Sequence, residues 1–433
     1  MTRKIVRFSL SAAVVVAAVL TARVAVRAQV FETEALGQEV LWSDFFGVDS
    51  RALGMGNTGI ALGSDGSALV YNPANLARIK RIELRGGLSH LRLSNDTRYG
   101  IDGPDLSDGR SMSRTRINAL SVTVPVPTYR GSLVVAFGLH RINSFDRAFG
   151  VTYAATGNPD FADRGRELET GGVWKWSGGA AVDISPRLST GLSLHLLTGG
   201  DDYRWHRDDL TLDDPVSEDQ TINISYVGVA ATGGISYALS KDVTAGLTIE
   251  TPTWIAADEK SSYEVDTASS AFTWVDDATS SYSITRPFVF GLGLAGTFDR
   301  FNLAADMRYT DWTQMGFSYD SPDLDAAENA TLRFIQDDLK EVVSLQLGGE
   351  YLFPEQGLSL RAGYFRDPLP VDSKFIEKER QYFTAGIGLL IDRIMTLDVA
   401  YVHGGYKLRD TDPGTYTADY KTRRVYATFG YRI

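Results

Sequence analysis

From residue 82 onward, apolar and polar residues alternate with a period of two, the side-chain period of a β-strand. The C-terminus is the clearest case. Val425, Ala427, Phe429, Tyr431 and Ile433 share one face, and Tyr426, Thr428, Gly430 and Arg432 the other. Phe301, Leu303, Ala305, Met307 and Tyr309 likewise alternate with Asn302, Ala304, Asp306, Arg308 and Thr310. Val343, Leu345, Leu347 and Tyr351 oppose Ser344, Gln346 and Glu350, and Met395, Leu397, Val399 and Tyr401 oppose Thr396, Asp398 and Ala400. The pattern predicts fourteen strands, near 82–93, 117–126, 133–146, 172–184, 188–197, 221–239, 243–253, 283–297, 301–312, 341–352, 358–366, 380–391, 394–406 and 422–433.

Alternation alone also fits a soluble sandwich; the connections separate the two. Tight links (Pro127–Ser132, Ser185–Arg187, Ser240–Asp242, Asp299-Arg300, Phe353–Gly357, Asp392-Arg393) alternate with long ones (94–116, 147–171, 198–220, 254–282, 313–340, 407–421). An even strand number with short turns at one end and long loops at the other is the layout of an antiparallel outer-membrane β-barrel. Aromatic residues near strand ends (Tyr309, Trp312, Tyr351, Tyr364, Tyr401, Tyr431) suit interfacial girdles. The expected fold class is therefore all-β, a 14-stranded barrel.

The N-terminus reads as an export signal. Arg3, Lys4 and Arg7 precede an apolar run from Phe8 to Leu20, and Val26-Arg27-Ala28 offers a cleavage site, so residues 1–28 form the expected signal peptide. Removing its five cations takes the net charge from −11 to −16. No later stretch approaches the roughly 18 apolar residues of a membrane-crossing helix. The acidity argues against nucleic acid, whose phosphates need a basic surface. With no Cys among 433 residues, a disulfide framework, a thiolate metal site and a lipid anchor on Cys are excluded.

Residues 29–80 do not alternate. They carry repeated glycines, apolar side chains (Leu53, Met55, Ile60, Leu62, Leu69, Val70, Tyr71) and a turn-forming Asn72-Pro73, too apolar a mixture for a solvated linker. A barrel of fourteen strands has a lumen that its own side chains do not fill, so this segment is expected inside it as a plug or hatch, ahead of a transmembrane barrel over 81–433.

Asp65 followed by Asn72-Pro73-Ala74 resembles the hatch motif of the long-chain fatty-acid transporter family, the FadL/TodX outer-membrane proteins. Ala305-Asp-Met-Arg-Tyr-Thr-Asp-Trp312, Leu360-Arg-Ala-Gly-Tyr364 and Asp367-Pro-Leu-Pro370 are similar to later stretches of that family. Arg51-Ala-Leu-Gly-Met-Gly56 also resembles a sister branch, the PorV-type barrels of a protein-secretion system. Ile433 stands where the family usually ends on an aromatic residue read by the barrel-insertion machinery, an expected partner. The resemblance implies passive transport of hydrophobic small molecules through a hatch-gated barrel with lateral exit, beside outer-membrane lipid and lipopolysaccharide. The sister branch implies a secretion role instead.

Chemistry-bearing motifs add little. Gly291-Leu-Gly-Leu-Ala-Gly296 fits a dinucleotide loop by spacing, but it lies in a strand leading to another strand, with no helix N-terminus for a phosphate. The five histidines show no metal spacing and no nucleophile motif appears, so neither cofactor nor catalysis is expected. The lumen-side charges Asp306, Arg308, Glu350, Arg361, Asp398 and Arg432 are expected to pair with one another and with the hatch. Trp254, Ile255, Phe272 and Trp274 either line a hydrophobic entry groove or pack their loop against its neighbours; both readings stay open. The resembled family kinks its third strand beside a lateral port, and mid-strand Gly138 is the candidate here.

Overall fold

The computed structural model describes residues 47–100, 106–153, 163–210, 214–268, 273–410 and 415–433. The expected signal peptide, residues 29–46 and Phe272 lie outside the described residues. Eighteen strand segments form one antiparallel sheet. They are β1 (Glu83–Gly100), β2 (Leu106–Val126), β3 (Leu133–Ser144), β4 (Arg147–Tyr153), β5 (Asp163–Ser185), β6 (Leu188–Asp209), β7 (Val216–Ala238), β8 (Val243–Glu250) and β9 (Thr253–Thr267). Then follow β10 (Thr273–Arg286), β11 (Val289–Phe298), β12 (Phe301–Asp311), β13 (Gly316–Tyr319), β14 (Glu341–Phe353), β15 (Leu358–Arg366), β16 (Ile376–Ile391), β17 (Met395–Asp410) and β18 (Thr415–Arg432).

The sheet closes on itself, because β1 pairs with both β2 and β18, from Glu83↔Arg432 to Gly100↔Thr415. Four barrel strands are each interrupted once, as β3/β4, β8/β9, β10/β11 and β12/β13, so the ring has the expected fourteen strands. Pro252 and Pro287 stand at two of the breaks, where a residue without an N–H cannot continue the ladder.

The burial pattern is inverted relative to a soluble sheet. Along β12, Phe301, Leu303, Met307 and Tyr309 are exposed while Asn302, Ala304, Asp306 and Thr310 are buried. Leu84, Leu88, Phe137, Leu194, Leu247, Phe290, Leu347, Phe383 and Phe429 extend the outward apolar surface around the ring. A continuous apolar exterior over a polar interior is stable only in lipid, so the barrel spans a membrane. No helix among the described residues is long and apolar enough to cross one.

The tight turns stand where expected, with Asp299, Asp392 and Arg393 taking the positive φ that a short hairpin needs. The long connections differ. Strands β5 and β7 run for 23 residues, about twice what a bilayer requires. Most of 94–116, 198–220 and 254–282 thus continues as paired ladder beyond the membrane, where both faces are wet and hydrophobic alternation fades. The connection 313–340 contains β13 and a helix, α3 (Asp325–Asp338), built from helix formers such as Ala326, Ala327, Glu328 and Leu332. Trp312 is not a girdle residue. The chain turns inward after Asp311, and the ring is 7% exposed within an interior apolar cluster.

Candidate functional site

Residues 47–80 occupy the ring's interior. They form two short helices, α1 (Ser50–Gly54) and α2 (Ala68–Tyr71), and a 3-10 turn over Pro73–Arg78. The first touches β15 to β18, while the 3-10 turn touches β3 and β5 to β7, so the segment bridges opposite arcs of the wall. Asp49 caps the first helix, its carboxylate accepting from the Arg51 N–H at 3.0 Å.

Close approach of backbone to wall explains the glycines. At Gly56, φ is +66° and a β-carbon would overlap the Leu347 carbonyl and the Tyr364 backbone. Gly293 of the GxGxxG stretch faces Ile60, where a β-carbon would sit 2.8 Å from the Ile60 Cβ. Those glycines make room for the inner segment.

The Asn72-Pro73-Ala74 stretch is a buried hydrogen-bond hub. The Asn72 side-chain amide donates to the Ile60 carbonyl at 2.7 Å and the Ile235 carbonyl of the wall at 3.1 Å. Its oxygen accepts from the Ala74 N–H at 3.1 Å, capping the 3-10 turn that Pro73 begins. Ala74 is fully buried. Asn75 joins the hub by donating to the Gly59 and Ile60 carbonyls at 3.2 and 3.1 Å. Sequence reasoning missed Asn75, although its position directly after the motif was a signal.

Charges lock the segment to the wall. Asp306 of β12 accepts the Gly59 and Ile60 N–H groups at 2.6 and 2.8 Å. Arg51 pairs with Glu350 at 2.8 Å, Glu350 with Arg361 at 2.8 Å, and Arg361 with Asp398 at 2.7 Å. Arg85 sits among Asp49 (2.6 Å), Glu83 (3.2 Å), Asp398 (3.7 Å) and Asp65 (3.9 Å). Burial pushes the Asp49 carboxyl above the ordinary range, with Arg85 opposing. For Asp65 burial pulls the same way, but Arg85 and the hydrogen bonds from Ser67 outweigh it and hold the carboxyl low. Arg308 lies 5.5 Å from the centre of the Tyr71 ring and Arg432 pairs with Glu83 at 2.6 Å. Five of the six lumen-side charges read from the sequence thus meet one another or the inner segment, as expected, while Arg432 pairs instead with Glu83 of the wall.

On the long-loop side of this segment an apolar cluster fills part of the lumen. Val48, Val70, Tyr71, Phe145, Tyr226, Ile255, Ile284, Trp312, Phe317 and Val342 form one buried cluster, closed by Ile335 of α3. Within it a cavity of about 100 Å³ has Val70 on one side and Trp312, Val342, Pro368 and Pro370 on others. Much of the rest of its lining is polar: the Lys175–Glu250 pair (2.9 Å), Arg286, Arg308, Arg380 and Asp367, with Asn143, Thr310 and Ser344. Interior space with apolar side chains on part of its wall and fixed charges on the rest suits a molecule with an apolar body and a polar end.

Gly138 is not a kink. Pairing runs unbroken through it (Ser121↔Gly138↔Ser177), and its missing side chain instead admits Leu69 of the inner segment, 3.0 Å from where a β-carbon would stand. The third strand does break, but higher. Its ladder to β2 ends at Ala119↔His140, its register to β5 slips between Arg141 and Asn143, and β4 resumes only at Arg147. Asn143, Ser144 and Asp146, residues that bond their own backbone, were the readable signal there. Arg116 and Arg141 meet Asp146 at this parting, at 2.5 and 3.3 Å. Just below it, on the lipid-facing side, lies a shallow groove of about 870 Å³ walled by Leu120, Phe137, Leu139, Trp176, Leu194 and Leu196, with Gly138, Ser177 and His195 behind.

The Trp254–Trp274 set is not brought together. Trp254 points outward, 53% exposed, while its neighbour Ile255 points into the lumen at 4%, as strand alternation requires. Trp274 packs edge-on against Tyr263 at 5.8 Å on the extended hairpin. Of the four, Ile255 alone belongs to the interior cluster among the described residues.

No family model and no curated protein matches the chain. Solved structures do. The toluene transporter TodX of P. putida is 14% identical with a TM-score of 0.61, the alignment covering 90% of this chain and 99% of that one. A Pseudomonas aeruginosa FadL homologue is 14% identical at a TM-score of 0.62, covering 89% and 98%. The monoaromatic hydrocarbon channel CymD is 13% identical at 0.59, covering 90% and 99%. At this identity the likeness is one of fold, and it spans nearly the whole of each protein: the chain has the barrel fold of the FadL- and TodX-type channels.

Proposed function

We propose that this protein carries hydrophobic small molecules, of the long-chain fatty-acid or hydrocarbon class, passively across a bacterial outer membrane. The observation that carries the reading is the apolar cluster inside the wall, closed by Ile335 of α3 and with Val70 of the inner segment on a small cavity beside it, near a parting in the ladder. The solved barrels it resembles are described as a toluene transporter and a monoaromatic hydrocarbon channel, which favours uptake over the secretion-system alternative.

In this reading residues 1–28 direct export, 29–80 act as the hatch and 81–433 form the barrel. A substrate enters between the long hairpins, rests against the apolar cluster and leaves sideways at the β2–β3 parting toward the lipid-facing groove. Lateral exit is energetically reasonable. Each buried CH₂ is worth about 0.8 kcal/mol, so carrying an alkyl chain through a wet mouth costs far more than sliding it into lipid. Asp65 and Asn72-Pro73-Ala74 hold the hatch in its seated form, and movement is downhill without a coupled energy source. The proposal is tested by replacing Asn72-Pro73-Ala74 with a flexible Gly-Ser stretch. Altered uptake by correctly inserted barrels is expected, and unchanged uptake rejects a gating role.

A further inference from the structure

On the outer face, directly above the apolar belt, β1 and β18 place Arg92 and Arg423 opposite each other across the ladder. Arg423 is in turn opposite His403 of β17. His90 lies one outward position below Arg92, and Lys421 one above Arg423. All five side chains are exposed. Like charges directly opposed in a ladder are destabilising unless something neutralises them. Among the described residues neither Arg92 nor Arg423 has a hydrogen bond or ion pair, whereas the neighbouring Lys421 is held by Asp419 at 3.1 Å.

The surroundings define what fits. Below stand exposed apolar side chains, Leu88 on β1, Val425 on β18 and Tyr401 on β17, and Phe383 on β16 extends the row itself opposite His403. Beside them β2 offers Ser113 and Thr115, both within hydrogen-bond reach of His90, at 3.1 and 2.8 Å. Two guanidiniums, an ammonium and hydroxyls over a row of alkyl and aromatic groups match an anion carried on acyl chains. Guanidinium forks suit phosphate oxygens in particular. The short turns lie at the opposite end of β1 and β18, so this row is at the outer leaflet.

We infer that Arg92 and Arg423, with Lys421 and His403, form a binding site for a phosphate-bearing lipid of the outer leaflet. The site rests on the membrane placement of the barrel and not on what the lumen carries, so failure of the uptake reading leaves it standing. The lipid's phosphate bridges the two guanidiniums while its chains lie along Leu88, Val425 and Tyr401.

The test uses the full barrel in detergent and fluorescent lipid A, in its phosphorylated and dephosphorylated forms. The phosphorylated form is expected to bind at least about tenfold tighter, and the Arg92→Gln/Arg423→Gln variant to lose that preference. Heat-dependent gel migration reports whether the variant is folded. A measurement on the unaltered protein does not depend on the variant. Raising salt severalfold should weaken binding of the phosphorylated lipid and leave the dephosphorylated one unchanged. Equal binding of the two lipids, a folded variant that keeps the preference, or salt-independent binding would each overturn the inference.

Discussion

At the residue scale, the inner segment is held by a few buried polar groups whose loss leaves partners stranded. Asn72→Ala removes the bonds to the Ile60 and Ile235 carbonyls and the cap on Ala74. Stranding buried polar groups costs about 1–3 kcal/mol. Hydrogen exchange of residues 59–76 should therefore quicken by about 5- to 150-fold while barrel amides stay protected. Asp306→Ala strips the acceptor of the Gly59 and Ile60 N–H groups and should loosen the same stretch, read as faster proteolysis within it. If either variant leaves the segment as protected as before, these contacts do not hold it. This scale was half legible. Asn72-Pro73-Ala74 stood out as a turn and lumen charges stood out by parity, but that Asp306 bonds backbone rather than a cation depends on how the segment folds. The Trp254–Trp274 set failed because residues 254 and 255 fall on opposite faces.

At the element scale, the informative feature is the break in the third strand. Beyond Ala119↔His140 the β2–β3 ladder is absent, and the polar stretch around Asn143 to Asp146 fills the angle. Placing a large ring there, as in Ser144→Trp, should obstruct the proposed exit and cut uptake of a hydrophobic probe by about tenfold in barrels that still show heat-dependent migration, roughly 1.4 kcal/mol on the barrier. Full uptake would place the exit elsewhere. The existence of strands was legible because a membrane imposes strict alternation on every crossing. Their ends were not, since above the bilayer the ladder continues through Ser, Thr and charged residues without that constraint. Helix α3 was overlooked for a related reason. Its apolar face is short, with Ile335 its one fully buried residue, and gives a weak periodic signal.

At the scale of the whole molecule, a closed polar-lined ring with an apolar exterior is filled twice, by a polar-anchored segment on the short-turn side and by a cluster of apolar side chains on the long-loop side. In the proposed function the interior cluster favours apolar cargo, and α3, whose Ile335 closes that cluster, limits access from outside. Removing residues 325–338 and rejoining the ends with a short Gly-Ser link should speed entry of a small aromatic probe without changing barrel stability. An unchanged rate would mean that α3 does not limit access. The most direct measurement is uptake of labelled long-chain fatty acids and monoaromatic hydrocarbons by cells lacking their own transporters, with and without this protein in the outer membrane. The proposed function predicts faster entry of at least one of these compounds with the protein present, unaffected by depleting cellular energy when the label is followed only into the envelope. Equal rates across the whole panel would contradict it.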